Sequence, residues 1–172
     1  MNYAHIFKNR TCDGPGVRVA LYCQGCTRRC PGCHNPETWD PCGGIPYTDE
    51  TKREILDAID HPWIAGLSIL GGEPMEPGSQ DCIRGLLAAF RARFGWGKSA
   101  WLWTGCDAYK DLFSHDQEFK PNRWHTNHTV MILAMLDVIV DGPYVASLRD
   151  PRLQYRGSSN QRVIHLHEKM EE

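Results

Sequence analysis

Val17-Arg-Val-Ala-Leu-Tyr-Cys-Gln-Gly-Cys-Thr-Arg-Arg-Cys-Pro-Gly-Cys-His-Asn35 is the stretch from which the rest of the chain is read. Val17, Val19 and Leu21 alternate with Arg18, Ala20 and Tyr22, the two-residue period of a strand, expected to be the first of the chain. The strand runs directly into Cys26, Cys30 and Cys33, so the chemistry falls at its C-terminal end. Iron–sulfur clusters normally take four cysteine thiolates. The C-x-x-x-C-x-x-C spacing offers three from one loop and supplies no fourth, which leaves one iron of a four-iron cluster open to a substrate.

Cys23 keeps other readings open. It extends the run to C-x-x-C-x-x-x-C-x-x-C, and from Cys23 to Pro31 the pattern also matches the tail of the bacterial ferredoxin motif, whose last cysteine serves a second cluster. A small iron–sulfur electron carrier is therefore an alternative, with Cys23 as the fourth ligand or as a thiol competing for iron. Structural zinc is a third reading, although only Thr27, Arg28 and Arg29 separate the paired cysteines, too few for the usual hairpin between knuckles. Cys12, Cys42, Cys82 and Cys106 have no mutual ligand spacing and read as ordinary free cysteines. His5, His61, His115, His125 and His128 stand in polar, loop-like surroundings, and His165 with His167 makes only two ligands on one strand face.

Outward from the cysteine loop, strands alternate with helices. Thr48 to Asp60 carries Ile55, Leu56 and Ile59 at helical spacing behind a capping threonine, and His61-Pro62 ends it. Gly66 to Leu70 is a short apolar strand before Gly71-Gly72-Glu73-Pro74; Cys82 to Phe94 is an amphipathic helix. Ser99 to Trp103 is a third strand, Ala108 to Phe113 a short helix, and Met131 to Leu136 a helix or a connecting turn. Asp137 to Gly142 is a fourth strand, residues 144–160 are polar loop, and Arg162 to Leu166 is a final strand. This order predicts an α/β fold with a mostly parallel sheet. At 172 residues the chain is too short for a full eight-unit barrel, which takes about 250, so the expected architecture is an open partial (β/α) barrel forming one domain over residues 1–172.

Composition bounds the function. With 41% hydrophobic and 23% charged residues and a net charge of −2, the chain is an ordinary globular one without the basic excess that nucleic-acid binding needs. No apolar run reaches membrane-spanning length, and the first ten residues lack a signal peptide's apolar core. The expectation is a cytoplasmic protein with no nucleic-acid or membrane partner, whose eight cysteines are thiols or metal ligands.

Gly71-Gly72-Glu73 is the second chemical motif. Taken alone it reads equally as a turn; at a strand end, its glycines let backbone come close to a ligand. Asp13-Gly-Pro-Gly-Val-Arg18, Asp141-Gly-Pro-Tyr144 and Tyr155-Arg-Gly-Ser-Ser-Asn-Gln-Arg162 are likewise turn chemistry when read singly. Taken in order with the cysteine loop, these segments resemble the glycyl-radical activating enzymes of the radical S-adenosylmethionine family, over practically the whole chain. The Arg156–Arg162 element points, among these, to activases of anaerobic ribonucleoside-triphosphate reductase. The other motifs are shared with activases of glycyl-radical enzymes such as pyruvate formate-lyase.

The resemblance implies a 4Fe-4S cluster on Cys26, Cys30 and Cys33, with S-adenosyl-L-methionine chelating the open iron. It places the cofactor against Gly32, Cys33, His34, Gly71, Gly72 and Glu73, with no catalytic residue beyond these cofactor ligands. One electron, from flavodoxin or a similar reductant, cleaves the cofactor to methionine and a 5'-deoxyadenosyl radical. That radical removes an alpha hydrogen from a glycine of the reductase large subunit. Gly32 stands where many such loops carry an aromatic residue, so a stacking contact to adenine falls to His34 or Tyr22. Trp39 is expected to shield the cluster loop, Trp101 and Trp103 to pack, and Arg152, Arg156 and Arg162 to help dock the partner.

Overall fold

The computed structural model describes residues 1–113 and 122–167; His115 lies outside them. The strands are β1 (Asn2–Arg10), β2 (Val17–Cys23), β3 (Ile45–Pro46), β4 (Ile64–Gly71), β5 (Ser99–Trp103), β6 (Val138–Asp141) and β7 (Arg162–His165). The helices are α1 (Asp49–Ile59), α2 (Gln80–Phe94) and α3 (Thr129–Ala134), with a π-helical turn at Ala108–Leu112. They form one seven-stranded sheet in the order β3-β1-β2-β4-β5-β6-β7. The four central strands, β2, β4, β5 and β6, run parallel. β1, β3 and β7 are added antiparallel at the sides. The sheet does not close, as the open partial barrel requires.

Sequential order of the parallel strands follows from right-handed crossovers laid on one face. α1, α2 and α3 supply those crossovers, and their apolar sides meet Val19, Leu21, Cys23, Leu67, Ile69, Leu102 and Ile139 in one core. Each such aliphatic side chain contributes about 1.5–3 kcal/mol on burial. The opposite face carries Arg18, Ser68, Trp101, Val138 and Val140 and is covered by loops. α1 begins as its sequence indicates: Thr51 N–H donates to Thr48 Oγ1 (3.3 Å) and Thr48 N–H to Thr51 Oγ1 (3.2 Å), a reciprocal cap.

Several sequence expectations are corrected here. Val17–Cys23 is the second strand, not the first; β1 precedes it, and its polar residues are tolerated because much of the strand is exposed. Both faces of β2 are buried, Arg18 as fully as Val19. α2 starts at Gln80, two residues before the expected start. Among the described residues, no helix is long and apolar enough to cross a membrane.

Candidate functional site

The parallel register pairs Cys23 with Gly71, so the chain leaves β2 and β4 side by side at their C-terminal ends. There the two chemical motifs are joined through backbone: Gly72 N–H donates to the Cys23 carbonyl (2.9 Å) and Glu73 N–H to the Gly25 carbonyl (2.9 Å). This approach requires the glycines. A Cβ on Gly71 (φ +103°) would fall 2.7 Å from Cys23 N, and one on Gly72 would fall 2.5 Å from the Gly25 oxygen.

A cavity of about 420 Å³ opens over these strand ends. Cys26, Cys30, Cys33 and His34 line it from the cysteine loop, and Gly71, Gly72 and Glu73 from the end of β4. Thr104 and Gly105 follow β5, while Gly142, Tyr144 and the Tyr155–Gly157 segment close the far side. Of the predicted site residues, Gly32 alone is off the wall: at φ +74° its Cβ position faces Ala146 Cβ at 3.3 Å. His34 packs against Tyr144, with ring centroids 4.8 Å apart. Tyr22 does not reach the cavity; its hydroxyl donates to Asp13 Oδ2 (3.1 Å) and accepts from Arg10 Nη2 (3.2 Å).

Glu73 is buried, and both of its oxygens are engaged. Thr104 Oγ1 (2.6 Å) and Met75 N–H (3.0 Å) donate to Oε1; Arg28 Nε (3.1 Å) and Gly105 N–H (2.8 Å) donate to Oε2. Burial pushes its carboxyl up from the ordinary value, against the opposing pull of Thr104, Arg28 and the two N–H donors. Burial likewise pushes up the Cys26 thiol, opposed by the N–H groups of Arg28 and Arg29.

The other cysteines separate cleanly. Cys23 points into the helix-covered core beside Leu21 and is not on the cavity wall. Cys106 is also buried, its thiol pushed up to about 12 first by burial and then by the Glu73 charge. Cys12, read from the sequence as scattered, is on the cavity wall. Its thiol donates to Asp13 Oδ1 (3.5 Å), and burial together with the Asp13 charge holds its proton on, which disfavours the thiolate a metal needs.

Trp39 and Trp103 both line the cavity, and Trp103 Nε1 donates to the Tyr155 carbonyl (2.7 Å). Trp101 packs on the loop-covered face. Of the three arginines expected to dock a partner, Arg162 is committed to Asp141 (2.5 Å) and Asp107 (3.0 Å), and Arg152 to Asp150 (2.9 Å). Arg156 lines the cavity and donates to the Gln161 carbonyl (2.7 Å). Gln161 in turn accepts from Gly157 and Ser158 N–H and donates to the Gly142 carbonyl, which ties the Arg156–Arg162 element to the far wall.

Three thiols from one loop, glycine backbone opposite them and a cavity between form a donor set suited to an iron–sulfur cluster with a small ligand beside it. Among the described residues no three metal-binding side chains converge on a single ion, and a four-iron cluster is wider than one ion. The class defined by fold and site agrees with family comparison: residues 12–164 match the 4Fe-4S single cluster domain. More particularly, the chain belongs to the family of anaerobic ribonucleoside-triphosphate reductase-activating proteins. It is 36% identical to the one from Escherichia coli K12 over 169 residues, covering 96% of this chain and 99% of that protein. It is 36% identical to the one from phage T4, covering 95% and 93%, and 34% identical to the one from Vibrio cholerae, covering 96% and 97%.

Proposed function

We propose that this chain, as a single radical S-adenosylmethionine domain, activates anaerobic ribonucleoside-triphosphate reductase by generating a glycyl radical on its large subunit, with flavodoxin or a similar protein as reductant. The observation that carries the reading is the placement of Cys26, Cys30 and Cys33 and of Gly71-Gly72-Glu73 on the walls of one cavity, joined by backbone hydrogen bonds. Cys26, Cys30 and Cys33 would hold the 4Fe-4S cluster; Gly71, Gly72 and Glu73 would hold the methionine end of S-adenosylmethionine, and His34 with Tyr144 stands where an adenine could stack. When bound, the cluster would supply the one electron that cleaves S-adenosylmethionine into methionine and a 5'-deoxyadenosyl radical, which would take the glycine hydrogen and leave as 5'-deoxyadenosine.

The chain's own contribution is placement. Gly71 and Gly72 leave backbone bare of side chains at the strand end. Glu73 is fixed by its donors before any ligand arrives, so little reorganisation accompanies binding. Trp39, Trp103 and Tyr155 give the cavity apolar walls that limit water. A four-cysteine electron carrier is less well supported, because Cys23 lies in the core and Cys12 shares its proton with Asp13.

The test is anaerobic reconstitution with iron and sulfide, reduction, and electron paramagnetic resonance with and without S-adenosylmethionine, followed by an assay for 5'-deoxyadenosine. A changed cluster signal with product is expected. An unchanged signal without product would return the electron carrier, and failure to bind iron would return zinc.

A further inference from the structure

Arg28 stands between two of the loop cysteines and reaches out of their loop. Its stem passes over Gly105: a Cβ built there would lie 2.5 Å from Arg28 Cδ and 2.9 Å from Nε. Gly105 has no left-handed backbone, so what its missing side chain provides is room. Beyond this slot Nε donates to Glu73 Oε2 (3.1 Å), while Nη2 donates to Cys106 Sγ (3.0 Å) and lies 3.8 Å from Asp111 Oδ2. The guanidinium carbon is 4.1 Å from the centre of the Trp124 ring.

Trp124 is itself held. Its carbonyl accepts from Gln80 Nε2 (2.7 Å) at the start of α2. Arg123, also 4.1 Å from that ring, donates to Thr27 Oγ1, and Thr27 donates through N (2.8 Å) and Oγ1 (2.5 Å) to Glu76. The chain between Cys26 and Cys30 is thus tied through Arg28 to the ends of β4 and β5 and, by way of Trp124, to the start of α2, while Thr27 makes a separate tie to Glu76.

We infer that Arg28 is a positioning residue that holds the cysteine loop in register with the Gly71-Gly72-Glu73 strand end. The consequence for S-adenosylmethionine, which needs both motifs at once, rests on the function proposed above; the holding of the loop does not. A planar fork that meets a carboxylate and a sulfur while stacking on an indole is specific to arginine, so lysine does not replace it.

A double-mutant cycle on the full-length chain, with Arg28→Ala and Gly105→Ala, tests this. Gly105→Ala drives the Arg28 stem from its slot while leaving every cysteine and Glu73 in the sequence. The readout is the rate at which iodoacetamide alkylates Cys26, Cys30 and Cys33 in the iron-free protein, followed by mass spectrometry, with core Cys23 reporting global opening. Each single substitution is expected to raise the loop rates relative to Cys23 about tenfold, and the double variant to match Arg28→Ala. Arg28→Lys should behave as Arg28→Ala.

Unchanged loop rates in Arg28→Ala overturn the inference. So does a Gly105→Ala effect that persists undiminished without the arginine, or a parallel acceleration of Cys23, which would make Arg28 a general stabiliser of the fold. In the reconstituted protein, the same variants should need about tenfold more S-adenosylmethionine to change the cluster signal. A wild-type cluster indifferent to S-adenosylmethionine defeats the functional reading, while the alkylation cycle still decides the role of Arg28.

Discussion

Arg18 and Arg28 each reach across β4 and β5, one at the N-terminal ends of the parallel strands and one just beyond the C-terminal ends, and they meet different partners there. Arg18 Nε donates to Ser68 Oγ (2.7 Å), Nη1 to Ser99 Oγ (2.8 Å) and Pro15 O (3.3 Å), and Nη2 to Leu67 O (2.7 Å) and Ser99 O (2.9 Å). All of these acceptors are neutral. Burial lowers its pKa to about 10, so at neutral pH it remains a charge solvated by protein. Arg28 meets the Glu73 carboxylate at the cavity edge; burial is the largest influence on it and opposes its charge, but the Glu73 charge, Cys106 and the hydrogen bonds to both together outweigh burial and leave Arg28 with a raised pKa. The closed end of the sheet is thus fastened by strand backbone and hydroxyls, the open end by an ion pair carried on loops. A bolt of the first kind serves stability; the second kind serves registration of two motifs.

Arg18→Met tests that contrast with the largest effect. The substitution strands buried carbonyls and hydroxyls, and hydrogen bonds to a charged group contribute about 1.5–3 kcal/mol each. A loss of about 3 kcal/mol corresponds to a fall in Tm of about 10 °C for a chain of this size, read by circular dichroism on the iron-free protein. Arg28→Met should cost about 1 kcal/mol, since its side chain is partly solvated and Glu73 keeps its other donors. Equal losses would mean that the two ends are fastened alike.

Glu73→Gln sharpens the other half of the comparison through pH. Because burial raises the Glu73 carboxyl above its ordinary value, its contribution to stability is fully present below the ordinary carboxylate pKa and fades as pH rises through the folded value. Unfolding free energies from urea titrations across pH 4 to 8 should therefore show wild type losing ground to Glu73→Gln as pH increases. A tenfold difference in the carboxyl's proton affinity between folded and unfolded chain corresponds to about 1.4 kcal/mol. A stability difference that moves the other way would show that the Arg28 charge and the hydrogen bonds, not burial, govern this carboxyl.

Both arginines also show where sequence reading stops. The helices, the central strands and the position of the cysteine loop were legible, because each is local: period, cap and turn residues lie within a few positions of one another. The burial of Arg18 was not legible, since alternation cannot show that loops will cover the second face. β1 was missed because His5, Lys8, Asn9 and Arg10 give it no apolar face, and its existence rests on pairing with β2. Arg28 carried no signal at all, its partners running from Glu73, 45 residues along the chain, to Trp124, 96 residues along it (124 − 28). Cys23 differs: Val19, Leu21 and Cys23 share one strand face, so its place in the core could have been read from the same alternation that identified the strand.

That face assignment leads to the smallest expected effect. Cys23 and Cys26 are close in sequence, yet one lies in the helix-covered core and the other on the cavity wall. Burial drives the Cys23 thiol far above its usual range, so it keeps its proton and behaves as a small apolar side chain. Cys23→Ala should cost only about 1 kcal/mol of stability through the small cavity it leaves. Iron and sulfide content after reconstitution should be unchanged, whereas Cys26→Ala, Cys30→Ala and Cys33→Ala should each abolish the cluster. If Cys23→Ala alone lost the iron, Cys23 would have to turn from the core to the cavity in the loaded protein. The fourth ligand would then be a cysteine rather than a substrate, and the three-thiolate loop would lose its reason for leaving an iron open.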